Sequence, residues 1–311
     1  SVGGVQIYAL KRDGTIWSWG VLSPTPVPEP GLADVIRIAV GEFFGYLALT
    51  SDGTLWAQGD NRHGQFGDGT TESRSSPTPI QGMSNPAAFA AGLDNFLVVK
   101  SDGTIWVAGS NTVGQLGLST NLYRSTPGPV SGLAGVTAVA TGGTSSYPCT
   151  IALKADGKAW GWGAHLCLDT SEDHPSAVEL PSLSGAVAVS IGTNSAMVLK
   201  PDGTVWMQGS DLFGQRGNGT TAVSGPGLVP GQASVATIVA GSDYNFAITR
   251  EGTLWAWGAN DRGQLGDGST TNRSSPVQIG TGFQSVAAGA YHAVAVKTDG
   301  TLWAWGWNNW G

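Results

Sequence analysis

The chain has 311 residues and a formal charge of −7, from 15 Lys and Arg against 22 Asp and Glu. Sequence-independent binding of nucleic acid depends on basic side chains that displace counterions from phosphates, so this acidic balance argues against a nucleic-acid partner. No apolar run is long enough to span a bilayer, and we expect no membrane insertion. The length could hold two domains, but a repeat runs from end to end, which predicts a single domain over residues 1–311.

A short turn motif recurs seven times, and each copy has a tryptophan two residues after it. In chain order the copies are Asp13-Gly14-Thr15, Asp52-Gly53-Thr54, Asp102-Gly103-Thr104, Asp156-Gly157-Lys158, Asp202-Gly203-Thr204, Glu251-Gly252-Thr253 and Asp299-Gly300-Thr301. Asp-Gly between two alternating apolar segments is a strong hairpin signal, because both residues tolerate the positive φ of a tight turn. The copies lie roughly 40–54 residues apart, a period typical of stacked arrays and propellers.

Two further strands are predicted in each repeat. An apolar segment that ends in Gly precedes the hairpin, as at residues 35–41 and 235–241, and a proline-bounded segment follows it, as at 76–80 and 275–279. Proline is tolerated only at sheet edges or strand ends, so the second segment should be the outermost strand. Four strands per repeat predict an all-β propeller of four-stranded antiparallel blades, whose first and last blades each lack one strand by this count.

The two cysteines flank one hairpin. Cys149 and Cys167 could meet at its base in a disulfide if a bulge compensates for their unequal distances from the turn, and two separate buried thiols are the alternative. A disulfide would indicate an oxidising compartment. Only 12% of the residues are charged, which favours a protein that is extracellular or at the cell surface.

One loop carries a family resemblance. Residues 258–268, GANDRGQLGDG, followed by SSPV at 274–277, resemble the repeat of the regulator of chromosome condensation family, and similar loops occupy 59–69, 109–117 and 209–219. The resemblance implies a seven-bladed β-propeller. The first and fourth repeats depart from the pattern at residues 21–24 and 164–167, so their blade edges should be shortened or remodelled. In character the chain is most similar to secreted bacterial members, such as the propeller-type inhibitor of β-lactamase.

The tryptophans follow the repeat. Seven of the 13 stand after the turns and four more stand two residues later, on the same strand face. They are Trp17, Trp56, Trp106, Trp160, Trp206, Trp255 and Trp303, then Trp19, Trp162, Trp257 and Trp305. Some family members absorb light through clustered tryptophans, but packing of blade against blade explains one aromatic per repeat, and we predict a packing role.

A candidate binding site lies between the glycine that ends each first strand and the next strand. Its most informative positions are Phe43, Phe44, Asp94, Asn95, Tyr147, Asn194, Asp243, Tyr244, Tyr291 and His292. Equivalent places in successive blades should form a ring around the central channel, with aromatic anchors beside polar groups as in protein-binding hot spots. The alternative is that these residues cap strand ends. Arg62, Arg262 and Asn272 are expected at the opposite rim or outer edge.

Signs of catalysis are weak. The four histidines, His63, His165, His174 and His292, form no recognisable triad with a nucleophile and an acid. The glycine-rich loops offer too few carboxylates for calcium, so we expect neither a metal nor a cofactor. We therefore predict a non-enzymatic, monomeric recognition propeller that binds a protein or glycan through one face. The alternatives are a guanine-nucleotide exchange factor for a small GTPase, and a glycan-binding lectin or glycan-active enzyme.

Overall fold

A computed structural model describes residues 6–41, 45–120, 122–144, 147–164, 172–193, 195–222 and 225–309. These residues form seven antiparallel sheets arranged as the blades of a propeller, which confirms the predicted fold class. Within those ranges, residues Pro181–Leu183 form a short 3-10 helix. No helix in the described residues is long and apolar enough to cross a membrane.

The strands of the first four blades follow the repeat in chain order. Blade 1 has β1 Gln6–Leu10, β2 Ile16–Gly20 and β3 Ser23–Pro28; blade 2 has β4 Val35–Val40, β5 Tyr46–Thr50, β6 Leu55–Gly59 and β7 Arg74–Pro79; blade 3 has β8 Ala88–Ala91, β9 Asn95–Val99, β10 Ile105–Gly109 and β11 Arg124–Pro129; blade 4 has β12 Val136–Gly142, β13 Cys149–Lys154, β14 Ala159–Gly163 and β15 His174–Glu179.

The last three blades continue the pattern. Blade 5 has β16 Ala188–Ile191, β17 Ser195–Leu199, β18 Val205–Gly209 and β19 Gly227–Leu228; blade 6 has β20 Val235–Ala240, β21 Tyr244–Thr249, β22 Leu254–Gly258 and β23 Arg273–Gly280; blade 7 has β24 Phe283–Ala288, β25 His292–Lys297 and β26 Leu302–Gly306. The first and last blades have three strands each, as the strand count predicted. In blades 1 to 6 the last strand lies at the sheet edge, and in all of these but blade 5 it contains proline, which needs no ladder hydrogen bond there.

Apolar side chains fill every interface between neighbouring blades. Seven separate core clusters are present, and each draws its main members from two adjacent blades. The cluster of Ile7, Trp19 and Val294 joins blade 1 to blade 7 and so closes the ring. A blade cannot bury both faces alone, so these interfaces supply the hydrophobic core.

The tryptophans pack between blades at two depths. Trp162 and Trp257, from the second set, are fully buried, and Trp19 is nearly so. The tryptophans that follow the turns are half-buried in blades 1 to 6, and in blade 7 Trp303 is 50% exposed. The deepest aromatic packing therefore comes from the second set, not from the repeated first set.

Candidate functional site

The connections between strands alternate between the two faces of the disc. Asn95 at the start of β9 pairs with Gly109 at the end of β10, and Tyr244 at the start of β21 pairs with Gly258 at the end of β22. The loop before the second strand and the loop after the third strand thus share one face, which we call the upper face. The Asp-Gly turns lie on the other, the lower face.

This geometry corrects one expectation from the sequence. Arg62, Arg262 and Asn272 belong to loops after third strands, so they lie on the upper face with the predicted ring and not at the opposite rim. Contacts confirm the placement: His63 Nδ1 lies 3.6 Å from Asp94 Oδ1 in the next blade. The upper face therefore carries two concentric sets of loops, an inner ring and an outer ring.

The outer loops owe their shape to two amide side chains. In the loop of blade 6, Asn260 Oδ1 accepts the amide of Leu265 at 3.0 Å, and Gln264 Oε1 accepts the amide of Arg262 at 2.8 Å. The same bonds recur in blade 3 with Asn111 and Gln115. These bonds satisfy backbone donors of the loop that have no strand partner.

In blades 3, 5 and 6 the outer loop also holds the following blade. The indole Nε1 atoms of Trp162, Trp257 and Trp305 donate to the backbone carbonyls of Gln115, Gln215 and Gln264 in the preceding blade, each at 2.9 Å. Gly266 has a φ of +76°, and a Cβ there would lie 2.7 Å from Trp305 Nε1, so the position requires glycine. The loops are thus rigid supports for whatever side chains they expose.

The predicted ring residues divide by position into exposed and buried members. Tyr147 and Tyr291 are exposed, at 42% and 45%, while Asp94 and Asp243 are half-buried. Asn95 is buried, and Asp243 Oδ1 accepts a hydrogen bond from Gln215 Nε2 at 3.3 Å. Phe43, Phe44 and Asn194 lie outside the described residues.

Tyr244 is a core residue, and its assignment as an exposed anchor is wrong. It is 1% exposed, and its hydroxyl donates to the carbonyls of Gly289 at 3.1 Å and His292 at 2.6 Å in blade 7. Burial raises the pKa of this phenol above its usual range. Burial also lowers the pKa of the His292 imidazole, which favours its neutral form.

Among the outer-ring residues between the loop Asn or Asp and its Gly, sequence reasoning named Arg62 and Arg262 but missed those of blade 5. In blade 5 these are Leu212 and Phe213, which are 73% and 39% exposed. In blade 6, the Arg262 guanidinium lies 5.9 Å from the Trp307 ring centroid, and Trp307 meets Tyr291 edge-on at 5.9 Å. We call these five residues the aromatic sector. An apolar Leu-Phe pair in an otherwise polar loop was the signal for it.

The centre of the disc offers little chemistry. A cavity of about 180 Å³ is lined by the ends of the inner strands of blades 2 to 7, with small residues such as Gly92, Thr141, Gly192 and Ser242. No group of three or more His, Cys, Asp or Glu side chains in the described ranges could hold a metal ion. Cys149 is fully buried, and Cys167 lies outside those ranges, so their pairing stays a prediction.

Comparison with known proteins agrees with this architecture. Two family models for the regulator of chromosome condensation (RCC1) repeat together match more than half of the chain. The first matches residues 52–99, 102–147 and 251–296, and the second matches 35–65, 87–115, 235–264 and 283–311.

Individual relatives cover parts of the chain or share its fold. The chain is 35% identical over 89 residues to human E3 ubiquitin-protein ligase HERC2, and 30% identical over 99 residues to the mitochondrial RCC1 domain-containing protein RUG3 of Arabidopsis thaliana. These matches take in 24% and 27% of this chain but only 2% and 22% of the relatives' lengths.

Two solved structures superpose over most of the chain. Human WBSCR16 gives a TM-score of 0.79 at 26% identity, covering 93% of this chain and 83% of that one. Prp20p of Saccharomyces cerevisiae gives 0.77 at 22% identity, covering 91% and 75%. The repeat matches and the seven-bladed architecture together show that the chain belongs to the regulator of chromosome condensation repeat family.

Proposed function

We propose that this propeller is a non-enzymatic recognition module that binds a protein partner through its upper face. The observation that carries the proposal is the aromatic sector: Leu212, Phe213 and Tyr291 are exposed on the upper face, and Trp307 contacts both Arg262 and Tyr291. Aromatic residues and arginine dominate binding hot spots, and monomeric proteins expose few contiguous apolar groups without a reason.

The support of the sector suits this role. The outer loops of blades 5 and 6 are fixed by internal side-chain hydrogen bonds and by indole-to-carbonyl hydrogen bonds from the next blade. Little conformational entropy should therefore be lost when a partner binds. The Trp307 ring is held between Arg262 and Tyr291, which orients it before binding. We further propose that the protein works outside the cell, as its low content of charged residues suggests.

The test compares variants on the two faces. Proteins from the source organism's culture medium are captured on the immobilised wild type, identified, purified and titrated by calorimetry. Leu212→Ala, Phe213→Ala and Tyr291→Ala should each leave folding intact, and at least one should weaken binding by about 30-fold, a hot-spot loss of about 2 kcal/mol. Matched lower-face controls are Val187→Ala, which is 55% exposed, and Arg12→Ala.

Two results would contradict the proposal. Equal losses on both faces, or losses only in the controls, would mean that the upper face is not the binding surface. Accelerated nucleotide release from a small GTPase would instead favour an exchange factor. This second candidate rests on the structural likeness to yeast Prp20p, which binds Gsp1p and histones.

A further inference from the structure

Blade 5 differs from the other complete blades at its outer edge. Its fourth strand, β19, has two residues, whereas β7, β11 and β15 have six and β23 has eight. Among the described residues, Gly227 and Leu228 pair with Met207 and Trp206 of β18, in the register that Pro79 and Pro129 have opposite Trp56 and Trp106. At the lower-face end of β19, a shallow depression of about 580 Å³ is lined by Lys200, Pro201, Asp202, Thr204, Trp206 and Leu228.

The lysine before the turn does not lie over the tryptophan ring in this blade. In blades 1, 3 and 7 the equivalent lysine lies over the tryptophan ring, with Lys100 Nζ 3.8 Å from the centroid of Trp106. In blade 5, Lys200 instead donates to the backbone carbonyl of Ser184 in the preceding connection. Partial burial there lowers the pKa of Lys200. The Trp206 indole is therefore without the cationic cover seen on Trp106.

Two polar atoms of the residues that line the depression have no hydrogen-bond partner among the described residues. In blades 1, 3 and 7 the indole Nε1 donates to the turn threonine, but no such bond joins Trp206 to Thr204. Asp202 uses Oδ1 to accept from the Thr204 amide at 2.9 Å and from its hydroxyl at 2.7 Å. Asp202 Oδ2 therefore remains free to accept a hydrogen bond, and Trp206 Nε1 remains free to donate one; both residues line the depression.

We propose that this depression is a binding subsite for a neutral hexose unit of a glycan, which stacks on the Trp206 indole. The face of a pyranose carries C–H groups that suit the negative face of an aromatic ring. Its hydroxyls both donate and accept, so they match the Trp206 donor and the Asp202 acceptor. The volume suits one or two sugar units.

The charges at the site favour a neutral ligand. The Asp202 carboxylate repels acidic sugars, and the Lys200 ammonium in the same wall disfavours a cationic peptide. Leu228, which is 44% exposed, adds an apolar rim. The site lies on the lower face, so it is separate from the proposed protein-binding sector and does not depend on it.

The first experiment uses the wild-type protein. Cellohexaose, maltohexaose and chitohexaose are titrated at millimolar concentrations while the indole N–H cross-peaks of 15N-labelled protein are recorded. The Trp206 cross-peak is assigned by its absence from Trp206→Phe. At least one oligosaccharide should shift this peak with saturation, and no saturable shift with all three would overturn the proposal.

Variants then locate the binding. Trp206→Ala should weaken binding of that oligosaccharide by about tenfold or more, the loss expected for one aromatic stacking contact, while Trp206→Phe should retain part of it. Trp106→Ala, at the equivalent but lysine-covered position, is the matched control and should bind normally. Equal loss in Trp106→Ala and Trp206→Ala, or displacement of the sugar by a proline-rich or lysine-rich peptide, would count against a glycan subsite.

Discussion

Tyr244 shows how one step along a strand decides between packing and binding. Successive side chains of a strand point to opposite faces, so of two neighbours at a strand entrance only one can face solvent. Asp94 and Asn95, like Tyr291 and His292, divide in this way, and the second residue of each pair is the more buried. The sequence located these positions correctly but could not say which member of a pair was exposed.

We expect Tyr244→Phe to lower stability without affecting recognition. The change removes a buried hydroxyl and leaves the carbonyls of Gly289 and His292 without this donor, at a cost of about 1–3 kcal/mol. Urea unfolding followed by tryptophan fluorescence measures it, with the exposed Tyr147→Phe as the matched control. If the variant kept its full stability but lost affinity for the partner, Tyr244 would be a binding residue and its assignment to the core would be wrong.

At the scale of strands and loops, local chemistry could be predicted better than placement. The Asp-Gly turns, the inner apolar strands and the proline-bounded outer strands all occur where the pattern predicted them, because each depends on φ preferences or on hydrogen-bonding capacity near in sequence. The face on which Arg62 and Arg262 lie depends on the directions of the strands within their own blade. Counting four antiparallel strands would have put both sets of loops on one face.

The two tryptophans of β22 provide a test of the indole-to-carbonyl hydrogen bond between blades. Trp257 is fully buried and donates to Gln215 of blade 5, whereas Trp255, two residues earlier, is half-buried. Trp257→Ala should cost about 3–5 kcal/mol in equilibrium unfolding, and Trp255→Ala clearly less, because less buried surface is lost. Equal costs would mean that the interblade hydrogen bond and deeper burial of Trp257 do not contribute to the free energy of unfolding, and that the two tryptophans on this strand face are equivalent.

At the scale of the whole molecule, closure is a property that no single repeat encodes. Six interfaces join blades consecutive in sequence, and the seventh brings Ile7 and Trp19 of blade 1 against Val294 of blade 7. The repeat predicted seven blades of the correct strand count. It could not show this contact, because the contacting residues are almost the length of the chain apart and share no local pattern.

Ring closure should make the propeller unfold as one unit, as expected of the single domain over residues 1–311. Ile7→Ala removes a buried side chain at the closing interface and should cost about 2–5 kcal/mol, as should Ile151→Ala at the interface of blades 4 and 5. Because a closed ring has no free end, both variants should weaken hydrogen-exchange protection in all seven blades together. If Ile7→Ala instead weakened protection only in blades 1 and 7, the blades would be a linear array whose stability is a sum of nearest-neighbour terms.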